Sequence, residues 1–223
     1  NYVKRDEDCT CQVVTVFQSC VTSWWQAVKG TALPSSLEAY SKMVKNSLNK
    51  ADMVVSPTKA IIEKAKDFHN ITVPTKVIYN GKAMEFEEEV EKENFLLCTG
   101  RIWDEGKNLR LLSKIAQNLP WPVYIAGNNV NPNTGNICEV ENVHFLGKLE
   151  PEELKLWMQR AEIFVSPTKY EPFGLSILEA AKAGCALALS NIDTLQELWH
   201  GNAIFFDPEN AGEAEKVILE LIS

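Results

Sequence analysis

From Asn94 onward the chain alternates short, almost wholly apolar runs with segments whose apolar residues recur at helical spacing. The runs are NFLLCTG, PVYIAG, VHFLG, EIFVSPT, CALALS and AIFFD. Between them, helices are predicted to begin near Asn108, Glu150, Gly174, Thr194 and Ala211. A strand with one wet face alternates apolar and polar residues, whereas a continuous apolar run is covered on both faces. Strands separated by helices join as parallel neighbours rather than hairpins. The pattern predicts an α/β fold, with a doubly wound, Rossmann-like sheet of six parallel strands in this half. Ligands on such sheets bind beyond the carboxyl ends of the strands, where the βα loops gather.

The first half carries a shorter version of the same alternation. CQVVTVFQSC (11–20) reads as a strand, and a helix after Pro34 places Leu37, Tyr40, Val44 and Leu48 on one face. DMVVSPT (52–58), the helix TKAIIEKAKDF and KVIYNG (76–81) follow, with Asn80-Gly81 marking a turn. Residues 85–93, EFEEEVEKE, hold six glutamates and read as a solvated connector without chemistry of its own. The phrases DMVVSPTKA and EIFVSPTKY are alike, which predicts in each a parallel strand ending in a Ser-Pro-Thr turn and a helix cap. The expected boundaries are a partial Rossmann-like domain over 1–93, with its linker at 85–93, and a complete one over 94–223.

Composition narrows the classes of partner. At 45% hydrophobic and 23% charged, the 223 residues have the make-up of an ordinary globular protein. The net charge of −8 and the lack of a Lys/Arg stripe argue against nucleic acid. No apolar run reaches the ~20 residues that a membrane span requires. The segment NYVKRDEDCT is too polar to read as a signal peptide. No strongly basic amphipathic helix marks a membrane surface, and peripheral membrane contact stays open. The six cysteines lack a disulfide-framework spacing, which suits a reducing, cytoplasmic compartment. Cys98 and Cys185 fall in or beside strand-like runs and read as buried thiols. Cys9 and Cys11 have no matching second pair and the three histidines are scattered, so no metal site is expected.

The chemistry-bearing stretch is SPTKYEPFGLSILEA, Ser166 to Ala180. A strand, a loop with Pro and Gly, and a helix starting near Gly174 place unpaired N–H groups and the positive end of a helix dipole together, which suits a phosphate. Glu171 lies in the loop and Glu179 in the helix, flanking that start. Many α/β loops carry a Pro-x-Gly helix start with no ligand, so spacing alone leaves both readings open. Arg101 and Lys107, in the loop TGRIWDEGKN, can supply cations to a diphosphate, or can be surface charge beside Asp104 and Glu105.

GRIWDEGKNL after one strand, EPFGLSILEA after another and the acidic pair around the helix start together resemble the retaining glycosyltransferases of family four (glycosyl transferases group 1), which have the GT-B architecture. The resemblance covers nearly the whole chain, with 1–93 as part of an acceptor-side domain and 94–223 as the donor-binding domain. It implies a nucleotide-sugar donor, UDP- or GDP-linked and a substrate rather than a cofactor. A sugar would pass with retained configuration to an acceptor that is a saccharide, a lipid or a small molecule. Glu171 would bond the hydroxyls of the transferred sugar, and Glu179 the ribose. The backbone of Phe173, Gly174 and Leu175 would bind the diphosphate. Arg101 and Lys107 would neutralise the departing diphosphate in place of a metal. Gly127, Leu146 and Gly147 would line the base and ribose region. Gln18 stands where the family commonly has a histidine that contacts the sugar, and an amide cannot carry that positive charge. The family's opening glycine-rich turn and closing crossover helices are not found. The resemblance therefore implies a chain truncated at both ends, with an open strand edge that a second copy or a partner chain would cover. A non-catalytic nucleotide-sugar-binding module that needs such a partner is the alternative reading. A related epimerase or phosphorylase fits the acidic pair less well.

Overall fold

The computed structural model describes residues 10–85 and 90–223; Cys9 and most of the acidic run's centre, 86–89, lie outside the described residues. The chain forms two compact units, Asn1–Asn80 and Gly81–Ser223. The division thus falls ahead of the 93/94 boundary read from the sequence. Residues 78–85 run without regular structure, and no turn forms at Asn80-Gly81.

The first unit is a parallel sheet of β1 (Val14–Val16), β2 (Met53–Ser56) and β3 (Thr75–Val77), in that spatial order. Helices α1 (Val21–Lys29), α2 (Glu38–Asn49) and α3 (Lys59–His69) alternate with the strands. Val44 and Leu48 of α2 are buried as their spacing predicts, and Leu37 and Tyr40 are half-buried. Sequence reading missed α1. Its N-cap is Cys20, whose sulfur accepts from the Ser23 N–H, and a sulfur cap lies outside the usual Ser/Thr/Asp/Asn set. The signal that would have found it is the C-terminal Gly30, at φ 63°, which donates to the Gln26 carbonyl after Lys29.

The second unit is a six-stranded, wholly parallel sheet. Its strands are β4 (Glu93–Thr99), β5 (Val123–Ala126), β6 (His144–Gly147), β7 (Ala161–Ser166), β8 (Ala186–Ser190) and β9 (Ile204–Phe206). Their spatial order is β6-β5-β4-β7-β8-β9. The helices are α4 (Arg110–Ile115), α5 (Pro151–Arg160), α6 (Leu175–Lys182), α7 (Asp193–Trp199) and α8 (Ala211–Ile222). Successive residues of a strand face opposite ways. Leu96 and Leu97 of β4 accordingly enter two separate cores, one shared with Ile115, Ile125 and Ile218, the other with Met158, Ile177 and Leu189. Each fully buried aliphatic side chain contributes about 1.5–3 kcal/mol, so the two-sided core that the apolar runs predict dominates the unit's stability. It also buries Cys98 and Cys185. Burial pushes the Cys98 thiol up to about 12.

The connector is less idle than its acidity suggests. Lys92 extends its ammonium under the sheet, donating to the Ala161 and Ala183 carbonyls at 2.8 Å each. Glu93 begins β4 and is held by Arg160 at 2.5 Å. That bond, more than the opposing desolvation, lowers the Glu93 carboxyl from its ordinary value.

Candidate functional site

The connection after β4 leads to β5 on one side of the sheet, and the connection after β7 leads to β8 on the other. β4 and β7 are neighbours, so the loops beyond their carboxyl ends diverge and leave a crevice at this switch point. Two of the three loops that stand out in the sequence at this edge, TGRIWDEGKN after β4 and KYEPFG after β7, are the walls of this crevice.

Glycine makes the floor. The Gly100 N–H donates to the Ala126 carbonyl at 2.9 Å, and the Gly127 N–H to the Gly147 carbonyl at 2.8 Å, stepping the backbone from β4 to β6. A Cβ on Gly100 would meet the Lys107 side-chain stem at 3.3–3.4 Å. The bare Gly100 therefore lets that stem lie over it. The stem arrives from a turn at Glu105–Lys107, which the Asp104 carboxylate caps by accepting from the Gly106 N–H at 2.9 Å.

Lys107 and Glu171 meet across the crevice. The Lys107 Nζ donates to the Glu171 Oε2 at 2.7 Å, with the two side chains 23% and 15% exposed. The other carboxylate oxygen, Oε1, accepts from the Gly174 N–H at 2.9 Å and the Phe173 N–H at 3.4 Å. Glu171 therefore closes the turn just ahead of α6 with its own side chain. Two of the backbone groups assigned to a diphosphate thus bond this carboxylate in the free protein. The Leu175 N–H lies in the first turn, where no intrahelical acceptor exists. Gly174 holds the turn at φ 84°, and a Cβ there would come 2.8 Å from the Ile177 Cδ1.

The crevice walls are tied together below this pair. The Gly106 carbonyl accepts from the Thr168 hydroxyl at 2.6 Å and the Lys169 N–H at 2.9 Å. Asn108, left-handed at φ 54°, donates both amide hydrogens, to the Pro167 and Pro208 carbonyls at 2.9 Å each. The Thr194 hydroxyl of α7 donates to the Glu171 carbonyl at 2.6 Å. The Ser-Pro-Thr phrase thus serves two purposes. Thr58 caps α3 as expected, whereas Thr168 braces a loop and caps no helix. Sequence reading missed Asn108, Thr168 and Thr194; the left-handed asparagine right after the turn was the available signal.

Arg101 sits differently from Lys107. It is 56% exposed, pairs with Asp104 at 2.5 Å and lies 5.1 Å over the Trp103 ring. In the free protein a residue three positions along satisfies it. Glu179, on α6, is mostly buried and pairs with Lys82, a residue that no motif pointed to. The Gly127 N–H donates to the Gly147 carbonyl, and Leu146 precedes Gly147 at the end of β6. Gln18 belongs to the first unit, exposed in the link between β1 and Cys20. There the Cys20 sulfur lies 3.3 Å from the Nε2 of buried His69. Among the described residues no group of three or more His, Cys, Asp or Glu could hold a metal ion.

Residues 93–223 match the family described as Glycosyl transferases group 1. The chain belongs to that family. The chain is also similar to a glycosyltransferase of Methanocaldococcus jannaschii, at 28% identity over 184 residues, 70% of this chain and 47% of the relative. A glycogen synthase of Mycobacterium tuberculosis is 51% identical over 53 residues, 24% of this chain and 13% of its own. The chain spans about half the length of the first of these relatives. Among solved structures, the sucrose-phosphate synthase of Thermosynechococcus elongatus superposes with a TM-score of 0.79 at 18% identity, over 97% of this chain and 60% of that one. Anabaena HepE, in complex with UDP and glucose, gives 0.70 at 18% identity, over 95% and 62%. At that identity the likeness is one of fold, and it shows the α/β, GT-B-type fold for this group 1 chain.

Proposed function

We propose that this chain carries the donor half of a glycosyl transfer site, and that the protein moves a sugar from a nucleotide diphosphate, UDP- or GDP-linked, to a saccharide, lipid or small-molecule acceptor. The observation that carries the reading is the Lys107–Glu171 pair over the glycine floor at the switch point. A donor diphosphate brings negative charge that Lys107 can take over from Glu171, in a site where the ammonium is mostly desolvated and its field is strong. Glu171, released from that pair, becomes an acceptor for sugar hydroxyls. Arg101 would swing from Asp104 to join Lys107. Glu179 would hold the ribose diol, and Gly127, Leu146 and Gly147 would flank the base. UDP bound to the structural relative from Anabaena supports a nucleotide of this kind.

Transfer with retention follows if the acceptor oxygen bonds to the anomeric carbon on the face that the diphosphate leaves. The departing phosphate oxygen then takes the acceptor proton. Lys107, joined by Arg101, stabilises the leaving group, and the reaction needs neither a protein base nor a metal.

Donor hydrolysis or transfer, assayed across UDP- and GDP-sugars, should fall about 10²-fold or more in Lys107→Ala and in Glu171→Ala. Unchanged turnover in both would remove these roles.

A second reading is favoured by Gln18, which stands where the resemblance expects a histidine. In it the chain binds the nucleotide-sugar without turnover, and a partner chain completes the chemistry. Calorimetry that detects nucleotide binding, with no sugar released from any donor, would select this reading.

A further inference from the structure

We infer that Lys82 is a built-in competitor for the ribose-binding carboxylate, so that donor recognition begins with displacement of an intrachain ammonium. This rests on Glu179 acting as the ribose ligand. Glu179 is mostly buried on α6, and a buried carboxylate needs a partner. Its one hydrogen bond among the described residues comes from the Lys82 Nζ, to Oε1. Lys82 is brought there by its own backbone, whose carbonyl accepts from the Lys182 Nζ at 3.3 Å, one helical turn beyond Glu179. Lysine 82 is thus stapled to α6 at two points, main chain and side chain.

The two ribose hydroxyls supply two O–H donors, and a carboxylate receives both when each of its oxygens is open. With the ammonium on Oε1, the arrangement that gives each hydroxyl its own oxygen is obstructed. The Lys82 side chain is 48% exposed, so it can leave Glu179 for water, at a small cost. Glu179 thereby stays paired in both states, by the ammonium before the donor arrives and by the diol afterwards. The competition acts on the nucleotide's sugar and not on its phosphates. Its signature is therefore selective for the 2′-hydroxyl.

The test is calorimetry of the full chain with UDP, GDP and ADP and with their 2′-deoxy counterparts, comparing wild type with Lys82→Met and Lys82→Gln. The ribonucleotide that binds should do so about two- to fivefold more tightly in both variants, the range set by removing one competing ammonium that is itself half exposed. Its 2′-deoxy form needs only one carboxylate oxygen and should change little. Equal or weaker ribonucleotide binding in the variants would overturn the inference alone. An equal gain for the deoxy form would overturn it too, because the effect would not pass through the diol. Binding of no nucleotide by any of the three proteins would overturn the donor-site reading, and this inference with it.

Discussion

Gly127 backs onto Gly100 so closely that a Cβ on Gly127 would lie 1.8 Å from the Gly100 carbonyl oxygen. No rotamer relieves such an overlap, because both partners are backbone. Gly127→Ala must therefore push the ends of β4 and β5 apart. We expect a loss of about 3 kcal/mol or more, read as a lower denaturant midpoint at unchanged slope. Gly81, where an added Cβ would meet nothing within 4 Å and φ is not left-handed, serves as the comparison.

The two cations of the β4 loop should differ. Lys107 is mostly buried against Glu171, while Arg101 is largely exposed and already paired with Asp104. Donor turnover in Lys107→Ala should fall at least about tenfold further than in Arg101→Ala, since preorganised, desolvated charge contributes more than a mobile surface group. Matched losses in steady-state kinetics would show that Arg101 relocates fully when the donor binds.

Asn108 combines a left-handed backbone with two bonds to proline carbonyls. Asn108→Ala loses both bonds and strains the backbone, for an expected cost of about 3 kcal/mol. Asn108→Gly keeps the conformation and should recover about 1 kcal/mol of that. Thermal and chemical denaturation of the pair separates the two contributions.

His69 is buried, and burial, with Lys45 adding a smaller repulsion, lowers its imidazolium from the ordinary value near 6.5. The unfolded chain therefore binds a proton that the folded one resists. The stability associated with neutral His69 is present above about pH 6.5 and declines as the pH falls through that value toward the lower folded one. Denaturation followed from pH 7.5 to 5.5 should show this slope for the first unit, and His69→Gln should flatten it.

Thiol labelling gives a sharp contrast. Cys98 is buried with its thiol pushed up to about 12, so almost no thiolate exists at neutral pH. Cys11 is exposed. An aromatic disulfide reagent should modify Cys11 in the native protein and reach Cys98 only on unfolding, as peptide mass mapping will show.

The second unit was legible because its signals are local and repeat. Each continuous apolar run became a strand, and the helix starts fall within about two residues of the reading. Helix α1 escaped because a sulfur atom caps it and its face carries tryptophans and polar residues rather than an aliphatic stripe. In the site, residue types and spacing pointed to Lys107, Glu171 and Gly174. What they could not show is who bonds whom in the free protein. That Lys82 holds Glu179 and that Lys107 reaches Glu171 depend on side-chain choices across distant segments, which no local pattern encodes. That Glu171 closes the turn before α6 and that Arg101 turns back to Asp104 depend on rotamers that residue types leave open. Lys92 is the clearest case: in a run read as solvated charge, its ammonium finds carbonyls at the ends of two other elements.

The single Asn108 carboxamide that grips Pro167 and Pro208, with the Gly106 carbonyl that takes the Thr168 hydroxyl, makes three loops from different parts of the chain into one interchangeable part. Anyone grafting a new loop after β7 to change what this protein accepts would have to transplant the turn after β4 with it. The same tether means that a change in any one of these segments is felt in the other two, so the three behave as one composite word rather than three.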